Sequence, residues 1–158
     1  MSAYATPAEL EVGEREVLDE ATLDLDDGVV GDRWRNAGRS GGRPANVNAQ
    51  VTLMSARAAA LVAGDRERWP LAGDQLYVDL DLSEANLPPG TCLAVGEAVI
   101  ELTASPHTGC KKFVERFGLD AMHFVNSPEG RSLRLRGANA RVVEAGVVRP
   151  GDEIRKLS

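Results

Sequence analysis

The sequence predicts a mainly β domain of the α+β class, with its strands closed into a mostly antiparallel barrel and short helices inserted between them. Three observations lead there. Six to eight short apolar segments recur along the chain, separated by Gly, Pro, Asn and Asp. The two or three helical patterns among them do not alternate with the strands as βαβ units. No GxGxxG or Walker-type phosphate loop is present. The length of 158 residues suits one domain, and 43% hydrophobic content with only 4% aromatics implies a core of Val, Leu and Ala.

Taken in order, residues 1–10 read as a loose arm. "ELEVGEREVLDEATLDLDDGVVGDRW" alternates weakly and is broken by Gly13 and Asp27-Gly28, which predicts two short strands joined by turns. Residues 1–28 are thus an arm and first strands, and 29–158 the body of a single domain. "RNAGRSGGRPANVN" is a long loop. "AQVTLMS" is a strand, after which Ser55 can cap a helix, "ARAAALVAG", that Gly64 closes. "LYVDLDL" alternates Leu76, Val78, Leu80 and Leu82 with other residues, a strand with one buried face. "TCLAVGEAVIELTA" reads as strand, tight turn at Gly96-Glu97, strand. Phe113, Val114 and Phe117 form the apolar stripe of a helix that starts near Cys110 and ends at Gly118. A short helix over "DAMHFVN" follows. "NARVVEAGVV" and "DEIRKL" are the last two strands, around an "RPGD" turn.

The net charge of −6 argues against nucleic-acid binding. No apolar run approaches a membrane span, and the N-terminus lacks a basic start followed by an apolar block. A cytoplasmic location is expected. The charge is unevenly spread. Met1–Asp32 carries ten acids and one base, whereas Arg33–Arg43 and Arg131–Arg141 each carry four arginines and no acid. Such basic stretches can gather around one anionic ligand, or simply pair with surface acids.

Cys92 and Cys110 are too few and too far apart for a disulfide framework. Cys92 falls in an alternating strand and is expected in the core. Cys110 follows "SPHTG" and precedes Lys111 and Lys112. With Thr108 as the helix cap, Cys110 lies in the first helical turn, where unpaired amides and nearby cations favour a thiolate. That species can ligate a soft metal, attack an electrophile or carry sulfur. A small apolar filler is the competing reading. Zinc held by Cys92, His107, Cys110 and His123 matches no familiar spacing. A protease-like pair of His107 with Cys110 lacks a third member. His107 more plausibly holds the loop or meets a ligand, and His123 is a half-buried helix residue.

"GVVGDRW", "ANLPPGTCLAVGEAVIEL", "HTGCKKF" and "GRSLRLRGANARVVEAGVVRPGDEI", in this order from about Val29 onward, resemble the MOSC domain, named for the C-terminal part of molybdenum cofactor sulfurases. The resemblance implies a MOSC-type β-barrel that binds the molybdenum cofactor (molybdopterin), with Cys110 as metal ligand or sulfur-carrying residue. It gives the basic stretches an anionic ligand, since the pterin carries a phosphate suited to arginine. Arg33, Arg131, Arg134 and Arg136 are the candidates, with Arg134 and Arg136 on one face if that segment is extended. His107, Asn86 and Asn139 join them as candidate cofactor-binding residues, turn-making being the alternative for both asparagines.

The chain lacks the extra β-rich domain of the membrane-anchored amidoxime-reducing relatives and the pyridoxal-phosphate desulfurase domain of the sulfurases, so pyridoxal phosphate is not expected. It resembles the standalone bacterial proteins, some of which reduce N-hydroxylated compounds. Three readings follow from the resemblance: an oxidoreductase fed by a separate reductase, a non-enzymatic carrier that passes sulfur or cofactor between proteins through Cys110, and a fold that persists with the cofactor lost. No flavin, haem or iron–sulfur motif supplies electrons internally.

Overall fold

The hairpin expected at Gly96-Glu97 anchors the architecture. In the computed structural model, which describes residues 2–5, 16–32, 34 and 45–157, β7 (Cys92–Val95) pairs antiparallel with β8 (Ala98–Leu102). Gly96 takes φ 53° in the turn, a region that favours glycine. Leu93, Val95, Ala98, Ile100 and Leu102 all point inward and are buried. The other face of β7 carries Cys92, which is only half-buried, so Cys92 is not the core residue expected. Its strand has one wet face, and the cysteine alternates onto it.

β8 continues into β9 (Ala138–Glu144) with an irregularity at Val99/Ile100, and β9 into β5 (Val51–Ser55). β11 (Ile154–Lys156) edges β7 on the far side. β5 leads through α1 (Ala56–Ala63) to β6 (Leu76–Val78), which lies parallel to it. This is one βαβ crossover in a sheet expected to have none. β1 (Ser2–Ala5) and β2 (Glu16–Leu18) extend the same sheet beyond β6, so the start of the expected loose arm is a paired strand. The six strands from β11 to β6 curl into a nearly closed barrel-like wall. A smaller sheet packs against it: β10 (Gly146–Val148), β3 (Ala21–Asp24) and β4 (Gly28–Val29). The described residues hold eleven strands, more than the expected six to eight, because several are only two to four residues long.

The core is aliphatic. Leu23, Val51, Leu53, Leu76, Leu93, Ile100, Leu102 and Ala140 form one buried cluster inside the wall. A second cluster, Met54, Ala58, Ala59, Ala72 and Tyr77, seals the outer side of β5 and β6 beneath α1. β6 is therefore buried on both faces, as parallel strands under a helix usually are. The strand expected over "LYVDLDL" with one buried face is thus shorter, ending at Val78, and buried on both faces. Three further helices, α2 (Lys111–Phe117), α3 (Leu119–Asn126) and α4 (Pro128–Ser132), fill the connection from β8 to β9. No helix among the described residues is long and apolar enough to cross a membrane.

Candidate functional site

The loop from β8 to α2 is held by side-chain amides that mimic backbone pairing. Thr103 donates its hydroxyl to the Asn48 carbonyl and its amide to the Asn139 carbonyl (3.0 Å). Asn139, buried on β9, donates through Nδ2 to the carbonyls of Ser105 and Pro106, both at 3.1 Å. Asn126, at the end of α3, accepts from the Gly109 amide (2.8 Å) and donates to its carbonyl (3.1 Å). The peptide before Cys110 is thus clamped on both edges. Local hydrogen bonds of this kind, rather than apolar packing, shape the loop.

Cys110 itself is the helix cap, two residues later than the Thr108 cap expected. It is exposed and free. Partial burial raises its pKa, but the amides of Phe113 and Lys112, then the charges of Arg136 and Lys112, outweigh this and lower it below that of a free thiol. The thiol completes no capping hydrogen bond, so the amides act on it as nearby dipoles.

Behind the loop lies a buried charge cluster. Asp74, fully buried just before β6, accepts from Arg136 Nη1 at 2.5 Å and from His107 Nε2 at 2.6 Å. Burial alone would raise its pKa; Arg136 and His107 reverse that and hold it at about 2. Arg136 also donates to the Ala72 carbonyl (2.6 Å) and stacks 5.2 Å above the Phe113 ring. Its Nε is buried with no hydrogen-bond partner among the described residues. Gly137 makes room for the imidazole: a Cβ there would stand 2.7 Å from His107 Cδ2 and 2.4 Å from the Leu53 carbonyl, and its φ of 134° suits glycine.

His107, Thr108, Arg131, Arg134, Arg136 and Asn139 line one cavity of about 300 Å³, with Glu84 on its rim. The volume is at the small end for ligand sites. Arg131 is exposed. Arg134 is half-buried and donates to the carbonyls of Leu82 (3.1 Å) and Leu87 (2.6 Å). The segment 133–136, after the end of α4, is a turn, not the extended strand on which Arg134 and Arg136 were paired; Arg134 has φ 50°, the one positive value at a non-glycine among the described residues. The two arginines still reach the same cavity, by different routes.

Of the other candidates, Arg33 lies outside the described residues. Asn86 is absent from the cavity and donates to the Asp81 carbonyl (2.7 Å) within its own turn. His123 is exposed on α3 rather than half-buried. No group of three His, Cys, Asp or Glu side chains suited to a metal occurs among the described residues. Sequence reading missed Asp74, Gly137 and Asn126. Asp74 had a faint signal: a lone acid directly before the apolar run "QLYV". Asn126 had none.

Residues 45–155 match the MOSC domain. The chain belongs to the MOSC domain family. A search of curated proteins returns no match. Among solved structures, this MOSC protein is similar to YiiM from Escherichia coli, at TM-score 0.62 and 18% identity over 100% of this chain and 70% of that one. It is similar to YiiM from Geobacillus stearothermophilus at TM-score 0.65 and 17% identity, over 99% and 73%. YUAD protein from Bacillus subtilis matches at TM-score 0.57 and 20% identity, over 98% and 94%. A further structure, of a hypothetical protein, has TM-score 0.66 and 20% identity; the MOSC chain spans only 65% of its length.

Proposed function

We propose that this MOSC protein binds the molybdenum cofactor with Cys110 as the molybdenum ligand and reduces N-hydroxylated small molecules. The observation that carries the reading is a thiolate-prone cysteine under the charge of Arg136, one of three arginines that line the cavity beginning two residues before it at Thr108; Cys110 itself does not line that cavity. The residues suit the group. Arg136 has a buried Nε without a partner, and Arg131 is exposed at the same cavity, so donors are available to an anion after Asp74 has taken one charge. Arg131, Arg134 and Arg136 would hold the pterin phosphate, with Arg33 added from the other basic stretch. Asn139 and Asn126 hold the loop that presents the thiol. When bound, the cofactor supplies two-electron redox chemistry that the side chains of the chain lack. The electrons come from a separate reductase.

The test is metal analysis of protein made in a host that synthesises the cofactor. Molybdenum near one per chain is expected, with loss in Cys110→Ser. Wild-type protein without molybdenum overturns the reading. A carrier is the second reading, favoured by the exposure of Cys110, which suits handing sulfur or cofactor to a partner protein. Reduction of an aryl amidoxime to its amidine by the loaded protein decides for the enzyme; loaded protein that is inert with any chemical reductant decides for the carrier.

A further inference from the structure

The Asp74–His107 pair is more than the fold requires. Arg136 alone neutralises the buried carboxylate, and the Ala72 carbonyl satisfies the guanidinium further. Yet a second cationic-capable ring is brought to the other carboxylate oxygen at 2.6 Å. Its placement is built rather than incidental. Gly137 leaves space for the imidazole edge, and Asn139 fixes the carbonyls of Ser105 and Pro106 immediately before it. The His107 side chain keeps 16% exposure and lines the cavity, whereas Asp74 keeps none.

The chemistry of the contact fixes the ring. An ionised carboxylate only accepts, so Nε2 must carry a proton and donate it to Asp74. Nδ1 is then the nitrogen left to exchange a proton, and it has no hydrogen-bond partner among the described residues. A ring gripped by a carboxylate at one nitrogen and open at the other is the arrangement of a histidine that moves protons.

We propose that His107 is the proton donor of the reaction, acting through Nδ1, and that Asp74 is the residue that positions it. This rests on the reduction reading given above. Reducing an amidoxime to an amidine breaks the N–O bond and consumes two electrons and two protons, releasing water. The electrons come from an external reductant, here a chemically reduced viologen. One proton passes from His107 Nδ1 to the departing oxygen as the N–O bond breaks. The second, which ends on nitrogen, comes from solvent. The neutral imidazole left behind regains its proton from solvent. Asp74 and Arg136 face the ring directly, and Arg131, Arg134 and Glu84 face it across the cavity.

The experiment has two arms, the first on the protein with or without cofactor and the second on the cofactor-loaded protein. In the first, nitrogen-15 NMR of the two histidines, assigned with His107→Gln, reports the tautomer. A proton fixed on Nε2, with Nδ1 as the nitrogen that exchanges, is expected, and a proton fixed on Nδ1 overturns the proposal. In the second, His107→Gln is compared with wild type for molybdenum content and viologen-driven amidoxime reduction. Unchanged molybdenum, a turnover loss of about 100-fold or more, and loss of the high-pH fall in rate are expected. Asp74→Asn should show the same turnover loss together with a changed tautomer. Loss of molybdenum in His107→Gln would make the histidine a cofactor holder and end the proposal, as would full turnover. Wild type that lacks molybdenum, or Cys110→Ser that retains it, instead removes the reading beneath the proposal; the NMR arm does not depend on metal content and keeps the two failures apart.

Discussion

Ile100 in the barrel wall and Asp74 behind the cavity are both fully buried, for opposite reasons. Ile100 is surrounded by aliphatic neighbours such as Leu93, Leu53 and Ala140, and any side chain of similar volume would serve. Asp74 is surrounded by donors, and only a carboxylate balances Arg136 while gripping His107. The wall is held by area removed from water; the site layer is held by matched polar groups. The first tolerates variation and the second does not. A cavity that presents arginines is held rigid in the second way.

The largest effect should come from breaking the match. Asp74→Ala leaves the Arg136 guanidinium buried without a counter-charge, which costs about 3–5 kcal/mol. Urea unfolding should show it. Replacing both partners, Asp74→Leu with Arg136→Met, should cost less than the single change, because no orphan charge is left. A double variant as unstable as Asp74→Ala would mean that packing, not charge, holds this layer. The pH dependence follows from the same pair. The carboxyl titrates near 3.8 when unpaired and at about 2 in the native state, so the unfolded chain binds more protons between those values. The stability that Asp74 contributes is complete above about pH 4 and is lost as pH falls through about 2. Asp74→Asn should flatten that limb of the urea midpoint.

Ile100→Ala should cost about 2–5 kcal/mol through lost burial and the cavity left behind. It should leave Cys110 labelling and any bound molybdenum unchanged. If it alters the thiol instead, the two layers are coupled through β8, which leads from Ile100 to the Cys110 loop.

The contrast also explains what the sequence made legible. Alternation in "TCLAVGEAVIEL" marks Leu93, Val95, Ala98 and Ile100 as one face, because period-two burial leaves a direct trace. The hairpin was readable for that reason, and α1 and the helix after Cys110 by their end signals at Ser55, Gly64 and Gly118 and by the stripe of Phe113, Val114 and Phe117. The βαβ crossover was not, since β6 has only three residues, all buried, and shows no period. The polar layer leaves almost no trace. Asp74 and His107 are 33 positions apart, and Asp74 and Arg136 are 62 apart. No local pattern encodes such a meeting. Cys110 and the arginine stretch 131–136 were legible by their company, and the family resemblance by an ordered set of short motifs. That Arg134 turns through a positive φ was not legible either, and its guanidinium meets carbonyls, of Leu82 and Leu87, that lie 52 and 47 positions away.

A smaller effect is expected at Asn126, whose amide makes two hydrogen bonds to Gly109. Asn126→Ala should cost about 1 kcal/mol, because two half-buried backbone groups lose their partner. Asn126→Asp keeps the acceptor for the Gly109 amide and loses the donor to its carbonyl, so it should fall between. If both variants match wild type in urea, water replaces the clamp without loss.

The smallest effect on stability should be at Cys110, and there the two layers are compared most directly. Its side chain is exposed and caps α2 without a hydrogen bond, so Cys110→Ser should change stability by less than about 0.5 kcal/mol. Its chemistry should change entirely. Cys110 has its pKa lowered because amides and cations outweigh partial burial, so a larger share is thiolate at a given pH than in a free thiol. Cys92 sits half-buried in β7 with its backbone paired to β8 and to Leu157. In native protein Cys110 should therefore be alkylated first by iodoacetamide, and should stay reactive as pH is lowered below the range where a free thiol slows. Arg136→Met should shift that fall in rate to higher pH, since the arginine charge is one of the influences that favour the thiolate. Faster labelling of Cys92, or a Cys110 profile that does not move in Arg136→Met, would detach the thiol from the buried charge cluster and leave the cavity and the cysteine as separate features.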